Sequence, residues 1–158
     1  MNDNEQTIHA FYTAFQKRDA AAMVACYHPE VRFSDPVFPD LRGPRAGLMW
    51  RMLCERGADL KVEFRDVKAD DRRGSAHWDA RYTYSGTGRA VLNQIDAAFE
   101  LEGGRIIRHT DSFDLYRWAR QALGPVGLLL GWTPMVQGKI RRTAAAALDR
   151  FEAGQKSV

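Results

Sequence analysis

A hairpin pattern between Ile95 and Phe113 is the sequence feature that most constrains the fold. Apolar residues occupy every second position from Ile95 to Leu101, which is the period of a β-strand with one buried face. The pair Gly103-Gly104 supplies a turn, and the chain then returns as a second strand. On that strand His109 and Asp111 lie two positions apart, so their side chains share a face and can reach a common ligand. The hairpin is therefore predicted to carry titratable groups on an apolar face.

The hairpin ends a longer antiparallel meander. Turns rich in Asp, Arg, Ser and Gly separate four segments with strand character, at residues 60–68, 74–84, 90–101 and 105–116. Within the second segment, Trp78 and Tyr82 fall on one side, and His77 and Asp79 fall on the other. A curved sheet that packs on helices and encloses a hollow uses its two faces in this way.

Helices precede the meander. Apolar spacing predicts a first helix over residues 5–18, and Asp19 is a good N-cap for a short second helix that reaches Tyr27. A short strand over Val31–Asp35 and a third helix from about Pro44 to Arg56 follow. The predicted fold class is α+β, with a curved antiparallel sheet wrapped on N-terminal helices.

The C-terminal tail differs in charge from the rest of the chain. Residues 1–116 hold 16 Lys/Arg and 18 Asp/Glu, whereas residues 117–158 hold seven and two. The tail contains a short helix at 115–123, the apolar segment GLLLGW and a last helix that starts at Thr133-Pro134. We expect a helical extension that packs on the 1–116 domain or on a dimer partner. Contact of the tail with a membrane is the less favoured alternative, and a nucleic-acid partner is not expected.

Several classes of function lack their sequence signals. The 158 residues fit one domain with a real core. No glycine-rich phosphate loop, metal-ligand spacing or nucleophile elbow occurs, so we expect neither a metal nor a cofactor. No basic leader and no long apolar run occur, so the expected location is the cytoplasm.

Three local motifs resemble a known superfamily. They are F-Y-x-A-F-x-x-R-D in helix one, Y-H-P-E-V-R-F-S-D-P after helix two, and G-R-I-I-R-H-T-D-S-F-D in the last strand. With the order of elements over residues 5–116, they resemble nuclear transport factor 2 (NTF2), the ketosteroid isomerases and the SnoaL-like polyketide cyclases. The resemblance implies an NTF2-like, cystatin-like cone over residues 1–116, with residues 117–158 as an added extension.

The resemblance also implies a set of site residues. Ser34-Asp35-Pro36-Val37 looks like the isomerase segment that holds the catalytic base, and Ile95-Asp96 looks like the segment that holds a protonated carboxyl donor. The family's tyrosine donor falls on Phe11, with Tyr12 one position away. Polar residues at His109 and Asp111 make the cavity more like that of the SnoaL-like proteins. The implied ligand-contacting residues are Phe11, Tyr12, Phe33, Trp78, Tyr82 and Phe113.

Each proposed catalytic residue also has a structural interpretation. Asp35 can cap the turn that follows it, Asp96 can pair with an arginine if it is buried, and His109 with Asp111 can be a structural pair. The leading functional hypothesis is a SnoaL-like enzyme of isomerase, cyclase or hydrolase type. It would use acid–base chemistry on a small apolar or cyclic ligand, next to a carbonyl or epoxide. The alternative is a non-catalytic ligand-binding or protein-interaction module. In either case the outer face of the sheet is expected to form a homodimer, as is common in the superfamily.

Overall fold

The computed structural model describes residues 1–156. A six-stranded sheet packs on helices, which confirms the α+β class. The elements in chain order are α1 Asp3–Gln16, α2 Ala20–Ala25, β1 Tyr27–Ser34, β2 Leu41–Arg42, α3 Pro44–Arg56, β3 Lys61–Ala69, β4 Arg73–Tyr84, β5 Arg89–Glu102, β6 Arg105–Ser112, α4 Leu115–Leu123, α5 Pro125–Leu130 and α6 Pro134–Lys156.

Local signals fix the first two helices. Asn2 caps α1 by accepting the backbone N–H of Glu5, whose side chain accepts the N–H of Asn2 in return. Asp19 caps α2, as predicted, by accepting the N–H of Ala22. The apolar face of α1 is fully buried against the sheet at Ile8, Phe11, Tyr12 and Phe15.

The strand order is β2-β1-β6-β5-β4-β3, and only β1 with β6 forms a parallel pair. The predicted meander β3–β6 is confirmed. The prediction that Tyr27 ends the second helix is wrong, because α2 stops at Ala25 and the Cys26 carbonyl accepts the N–H of Ile106. This bond draws Tyr27 into the sheet beside the last strand.

The last strand is shorter than predicted. It ends at Ser112, because the side chain of Asp114 accepts the N–H of Arg117 and starts α4. Phe113 therefore lies between strand and helix. Helix α4 covers one end of the sheet with a small second core formed by Val91, Leu115, Trp118, Ala119 and Ala122.

The tail is only partly packed on the rest of the chain. Helix α6 buries Leu148 and Phe151 in the main core, and Arg45 binds both Asp149 and Glu152. The GLLLGW segment comprises the end of the short helix α5 and the turn after it, and its leucines are exposed in the single chain. That the whole tail packs on the domain or on a dimer partner stays a prediction. Among the described helices, none is both long and apolar enough to cross a membrane.

Candidate active site

A buried hydrogen-bonded pair, His109 and Asp111, lies on the concave face of β6. Nε2 of His109 is 2.9 Å from Oδ1 of Asp111, as the two-residue spacing predicts. Trp78 also donates its indole N–H to Asp111 at 3.4 Å. Both residues of the pair are almost completely shielded from solvent.

Tyr27 and Trp50 extend this pair into a chain. The Tyr27 hydroxyl is 2.8 Å from Nδ1 of His109, and it accepts the indole N–H of Trp50 at 2.8 Å. We assign the protons so that every group is paired. Trp50 then donates to Tyr27, Tyr27 donates to Nδ1 of His109, and Nε2–H of His109 donates to Asp111.

Aromatic rings surround the imidazole of His109. Phe99 and Phe33 lie 4.5 and 5.0 Å from it between ring centroids. Trp50 stacks on it nearly parallel at 5.9 Å, and Phe11 meets it edge-on at 5.4 Å. These apolar contacts exclude water, so the charge of Asp111 acts on its neighbours with little screening.

Tyr12 has a buried hydroxyl without a hydrogen-bond partner anywhere in the described part of the chain. Burial raises its pKa well above the usual value, and the negative charge of Asp111 raises it further. The phenol is therefore neutral, with a donor available. An unpaired buried hydroxyl is unfavourable for folding.

Asp35 follows β1 and caps the next turn. Its Oδ1 accepts the N–H groups of Val37 and Phe38 at 2.7 and 2.6 Å, so the predicted cap of the turn is present. Burial nevertheless raises the pKa of Asp35 to about 6. The two N–H donors lower this pKa, whereas the charge of Asp111 raises it. Asp35 thus lies within the electrostatic field of the buried pair.

The tail contacts the edge of the core where Asp35 lies. Val37, Tyr82 and Phe113 pack against both the main core and the second core under α4. Trp118 of α4 donates to the Tyr82 hydroxyl at 2.6 Å, and Arg141 of α6 donates to the Pro36 carbonyl at 2.9 Å.

Asp96 does not join the site. The alternation of β5 places Ile95 and Ala97 inward, so Asp96 faces out, with 83% of its side chain exposed. It accepts from Nδ1 of His77, whose other ring nitrogen binds Asp79. The expectation that Asp96 lines the cavity is therefore wrong.

The structure separates the remaining predicted residues into two groups. His109, Asp111, Phe11, Tyr12, Phe33 and Trp78 meet in the core, and Asp35, Tyr82 and Phe113 lie at its edge. His109 and Tyr12 have no exposed surface, so the expected open pocket does not reach them in this conformation. Two surface hollows of about 440 and 600 Å³ lie near the β3–β4 turn, and neither is lined by a predicted site residue.

Sequence reasoning missed Tyr27 and Trp50. Trp50 had a usable signal, because it lies one helical turn from Ala46 on the face of α3 that also buries Met49. Tyr27 had none, since its role depends on a parallel pairing with a strand about eighty residues away.

Comparison with known proteins identifies a family for this sequence. The sequence profile of the SnoaL-like domain matches residues 8–109. A comparison with curated proteins finds no similar sequence.

Solved structures share the fold. An NTF2-like protein of unknown function from Burkholderia pseudomallei K96243 is 22% identical, with a TM-score of 0.66 over 77% of this chain and 98% of that one. An LEH-like epoxide hydrolase of M. tuberculosis is 22% identical, with a TM-score of 0.65 over 82% and 96%. A candidate SnoaL-like polyketide cyclase from Jannaschia sp. CCS1 is 16% identical, with a TM-score of 0.68 over 78% and 93%. From the extent of the profile match, the chain belongs to the SnoaL-like domain family.

Proposed function

We propose that this chain is a small-molecule enzyme that uses acid–base chemistry without a cofactor. Asp35 is the proton-transferring group, and Tyr12 donates a hydrogen bond to the substrate oxygen. The observation that carries this proposal is the position of the partly buried Asp35 carboxyl at the edge of a core that holds an unpaired buried phenol, and burial there raises the pKa of Asp35 to about 6. A group that transfers protons works best when its pKa is near the working pH.

The two oxygens of Asp35 have different tasks in this proposal. Oδ1 accepts two backbone N–H groups, which fixes the carboxyl in one orientation. Within the described chain, Oδ2 receives no hydrogen bond, so it is the atom that moves the proton. With a ketone, Oδ2 takes the proton from the adjacent carbon and returns it to the product. With an epoxide, Oδ2 takes a proton from the attacking water and gives it to the oxygen released when the ring C–O bond breaks. Asp111 acts at a distance, because its negative charge helps to keep the pKa of Asp35 high.

The substrate is a small ketone or epoxide with an apolar, often cyclic, body. Its oxygen accepts a hydrogen bond from the Tyr12 hydroxyl, and its body contacts the aromatic side chains of Phe33, Trp78 and Phe113. The fold neighbours support this class, since one is described as an epoxide hydrolase and another as a candidate polyketide cyclase. Isomerase, cyclase and hydrolase chemistry all begin with this pair of groups.

Entry of the substrate requires movement at the edge of the core. Val37, Tyr82 and Phe113 are partly buried there, and the contacts from Trp118 and Arg141 close over them. In this proposal α4 and α6 form a cover that opens next to Asp35.

A non-catalytic binding or interaction module is the second candidate. It is favoured by the complete burial of His109, whose two ring nitrogens both have partners inside the protein. In that case the chain from Trp50 to Asp111 only stabilises the core.

One experiment distinguishes the enzyme from the non-catalytic module. The full-length protein is incubated with a panel of cyclic ketones in D₂O and of epoxides in ¹⁸O-labelled water, and label uptake is measured by mass spectrometry. Asp35→Asn keeps an oxygen for both backbone donors but cannot take the proton, so the rate should fall by about 100-fold or more. Asp96→Asn is the matched control and should match the wild type. Equal rates for wild type and Asp35→Asn, or no labelling with any compound, would reject Asp35 as the catalytic group.

A further inference from the structure

Exposed large apolar side chains are concentrated in one short segment of the tail. Eight such residues are exposed in the described chain, and six of them fall within residues 126–135, with exposed fractions between 42% and 69%. We call this surface the α5 patch, and its members are Val126, Leu128, Leu129, Leu130, Trp132 and Met135. Exposed apolar residues that cluster in this way mark an interaction site more often than single exposed residues do.

The backbone under the α5 patch is firmly held. Gly127 packs so closely on α4 that a Cβ there would overlap the carbonyl oxygen of Ala119. Tyr116 of α4 donates its hydroxyl to the Leu128 carbonyl at 2.7 Å, and Thr133 donates to the Leu130 carbonyl at 2.6 Å. The apolar side chains are therefore displayed by α5, the turn after it and the first residues of α6, on a backbone held against α4.

The helices before and after α5, from Leu115 to Leu148, carry only positive charges. From Leu115 to Leu148 the sequence has five Lys/Arg and no Asp/Glu. Lys139 and Arg142 are exposed on α6, four and seven positions after Met135, and so lie on the same helix face. Arg120 of α4 is exposed and lies over the Tyr116 ring at 5.2 Å. Cations thus flank the apolar surface on two helices.

We propose that the α5 patch docks on the surface of a lipid bilayer that contains anionic phospholipids. The apolar side chains enter the boundary between headgroups and acyl chains, and the flanking cations pair with lipid phosphates. Trp132 has the amphipathic ring that prefers this boundary. The six residues of α5 are too few to cross the bilayer, so the contact is peripheral.

A second copy of the chain fits the α5 patch less well. A two-fold contact places the same surface on both sides, so the cations of one copy would face the cations of the other. The segment from Leu115 to Leu148 has no carboxylate to pair with them. An anionic membrane supplies that missing charge.

Trp132 provides a direct readout. It is the exposed one of four tryptophans, whereas Trp50, Trp78 and Trp118 are buried. Purified full-length protein is mixed with vesicles of phosphatidylcholine, with or without phosphatidylserine. With the anionic vesicles we expect co-sedimentation, a blue shift of tryptophan emission and quenching by brominated acyl chains. Sodium chloride at about 0.5 M should weaken the binding.

Paired variants separate apolar insertion from charge. Leu129→Ser with Trp132→Ser should lower partitioning to anionic vesicles by about tenfold or more. Lys139→Glu with Arg142→Glu should do the same. The control is Arg72→Glu with Arg105→Glu, which makes an equal charge change. Arg72 lies in the turn before β4 and Arg105 follows the turn after β5, at the end of the sheet away from α4. This variant should bind vesicles like the wild type. Unfolding midpoints close to the wild-type value establish that each variant is folded.

Three results would overturn the proposal. The first is that the wild type does not bind anionic vesicles. The second is that the Arg72/Arg105 control loses as much vesicle binding as the Lys139/Arg142 variant. The third is that the wild type is an oligomer that does not bind vesicles and that Leu129→Ser with Trp132→Ser converts to a monomer. The last result would assign the α5 patch to a second copy. None of these measurements depends on Asp35, so their failure is distinct from failure of the proposed enzyme activity.

Discussion

The hydroxyl of Tyr27 on β1 lies 2.8 Å from Nδ1 of His109 on β6. This contact links two strands that are neighbours in the sheet but far apart in the sequence. Tyr27→Phe should therefore destabilise the protein, because it leaves Nδ1 of His109 and the indole N–H of Trp50 without hydrogen-bond partners in the core. We expect the free energy of unfolding to fall by about 1–3 kcal/mol, measured by chemical denaturation. Tyr84→Phe is the matched control, because Tyr84 is partly exposed and its hydroxyl makes no hydrogen bond within the described chain, and its expected change is below about 0.5 kcal/mol. Equal effects of the two changes would contradict the buried chain.

Asp35→Asn should change stability in a pH-dependent way. The pKa of Asp35 is about 6 in the fold against 3.8 without it, so between these values the native state keeps a proton that the unfolded state has lost. The free energy of unfolding of the wild type therefore decreases as pH rises through this window.

The Asn side chain removes that dependence while keeping the cap. We expect Asp35→Asn to be more stable than the wild type by about 2 kcal/mol near pH 7.5, with the gain largely lost near pH 4. Thermal or urea unfolding at both pH values measures it. If the free energy of unfolding of the wild type instead rises with pH relative to that of Asp35→Asn, then the fold stabilises Asp35 as an anion.

Replacement of His77 on the outer face should destabilise the protein, although the contribution of His77 to stability also falls as pH rises. Partial burial lowers its pKa, but the hydrogen bonds to Asp96 and Asp79 outweigh burial and raise it above the usual value. The stabilisation by His77 is thus fully present below the unfolded pKa of about 6.5 and is lost as pH rises through the folded pKa. His77→Gln should cost about 0.5 kcal/mol near pH 5.5 and less near pH 9, in urea unfolding at low salt. A cost that does not change between the two pH values would rule out the charged bridge.

Leu148→Ala tests the packing of α6. Leu148 is fully buried in the main core, and its truncation should cost about 2–4 kcal/mol in the free energy of unfolding. Leu129→Ala makes the same chemical change at an exposed position of α5 and should stay within about 0.5 kcal/mol in the absence of membranes. A small effect at Leu148 would mean that α6 is not anchored in the core.

The elements of the fold that could be predicted from the sequence are those with a local signal. Period-two alternation located β3 to β6 within a few residues, and the Asp19 cap located α2. The pairing of β1 with β6 has no local signal, because the two strands are far apart in sequence. The site was predictable where it depended on spacing along one strand, as for His109 and Asp111.

Asp96 shows where a family resemblance and local physics disagree. The resemblance placed Asp96 in the cavity, whereas the alternation with Ile95 and Ala97 placed it outside, and the structure follows the alternation. A one-residue slip would turn Ile95 and Ala97 to solvent, so the apolar face of β5 decides the register. The α5 patch could not be located in advance, since sequence does not tell which face of a short apolar helix another helix covers.

The parallel pairing of β1 with β6 has a consequence for the order of folding. Neighbouring strands of the meander β3–β6 can pair through short turns, but β1 can join only when β6 is present and a loop of about eighty residues closes. We therefore expect the contact between Tyr27 and His109 to form late. A chain still emerging from the ribosome can hold its first helices and most of its hairpins without the hydrogen bond between Tyr27 and His109. Until β1 arrives, the free edge of β6 is open to other strands, which makes this the stage at which aggregation competes with folding.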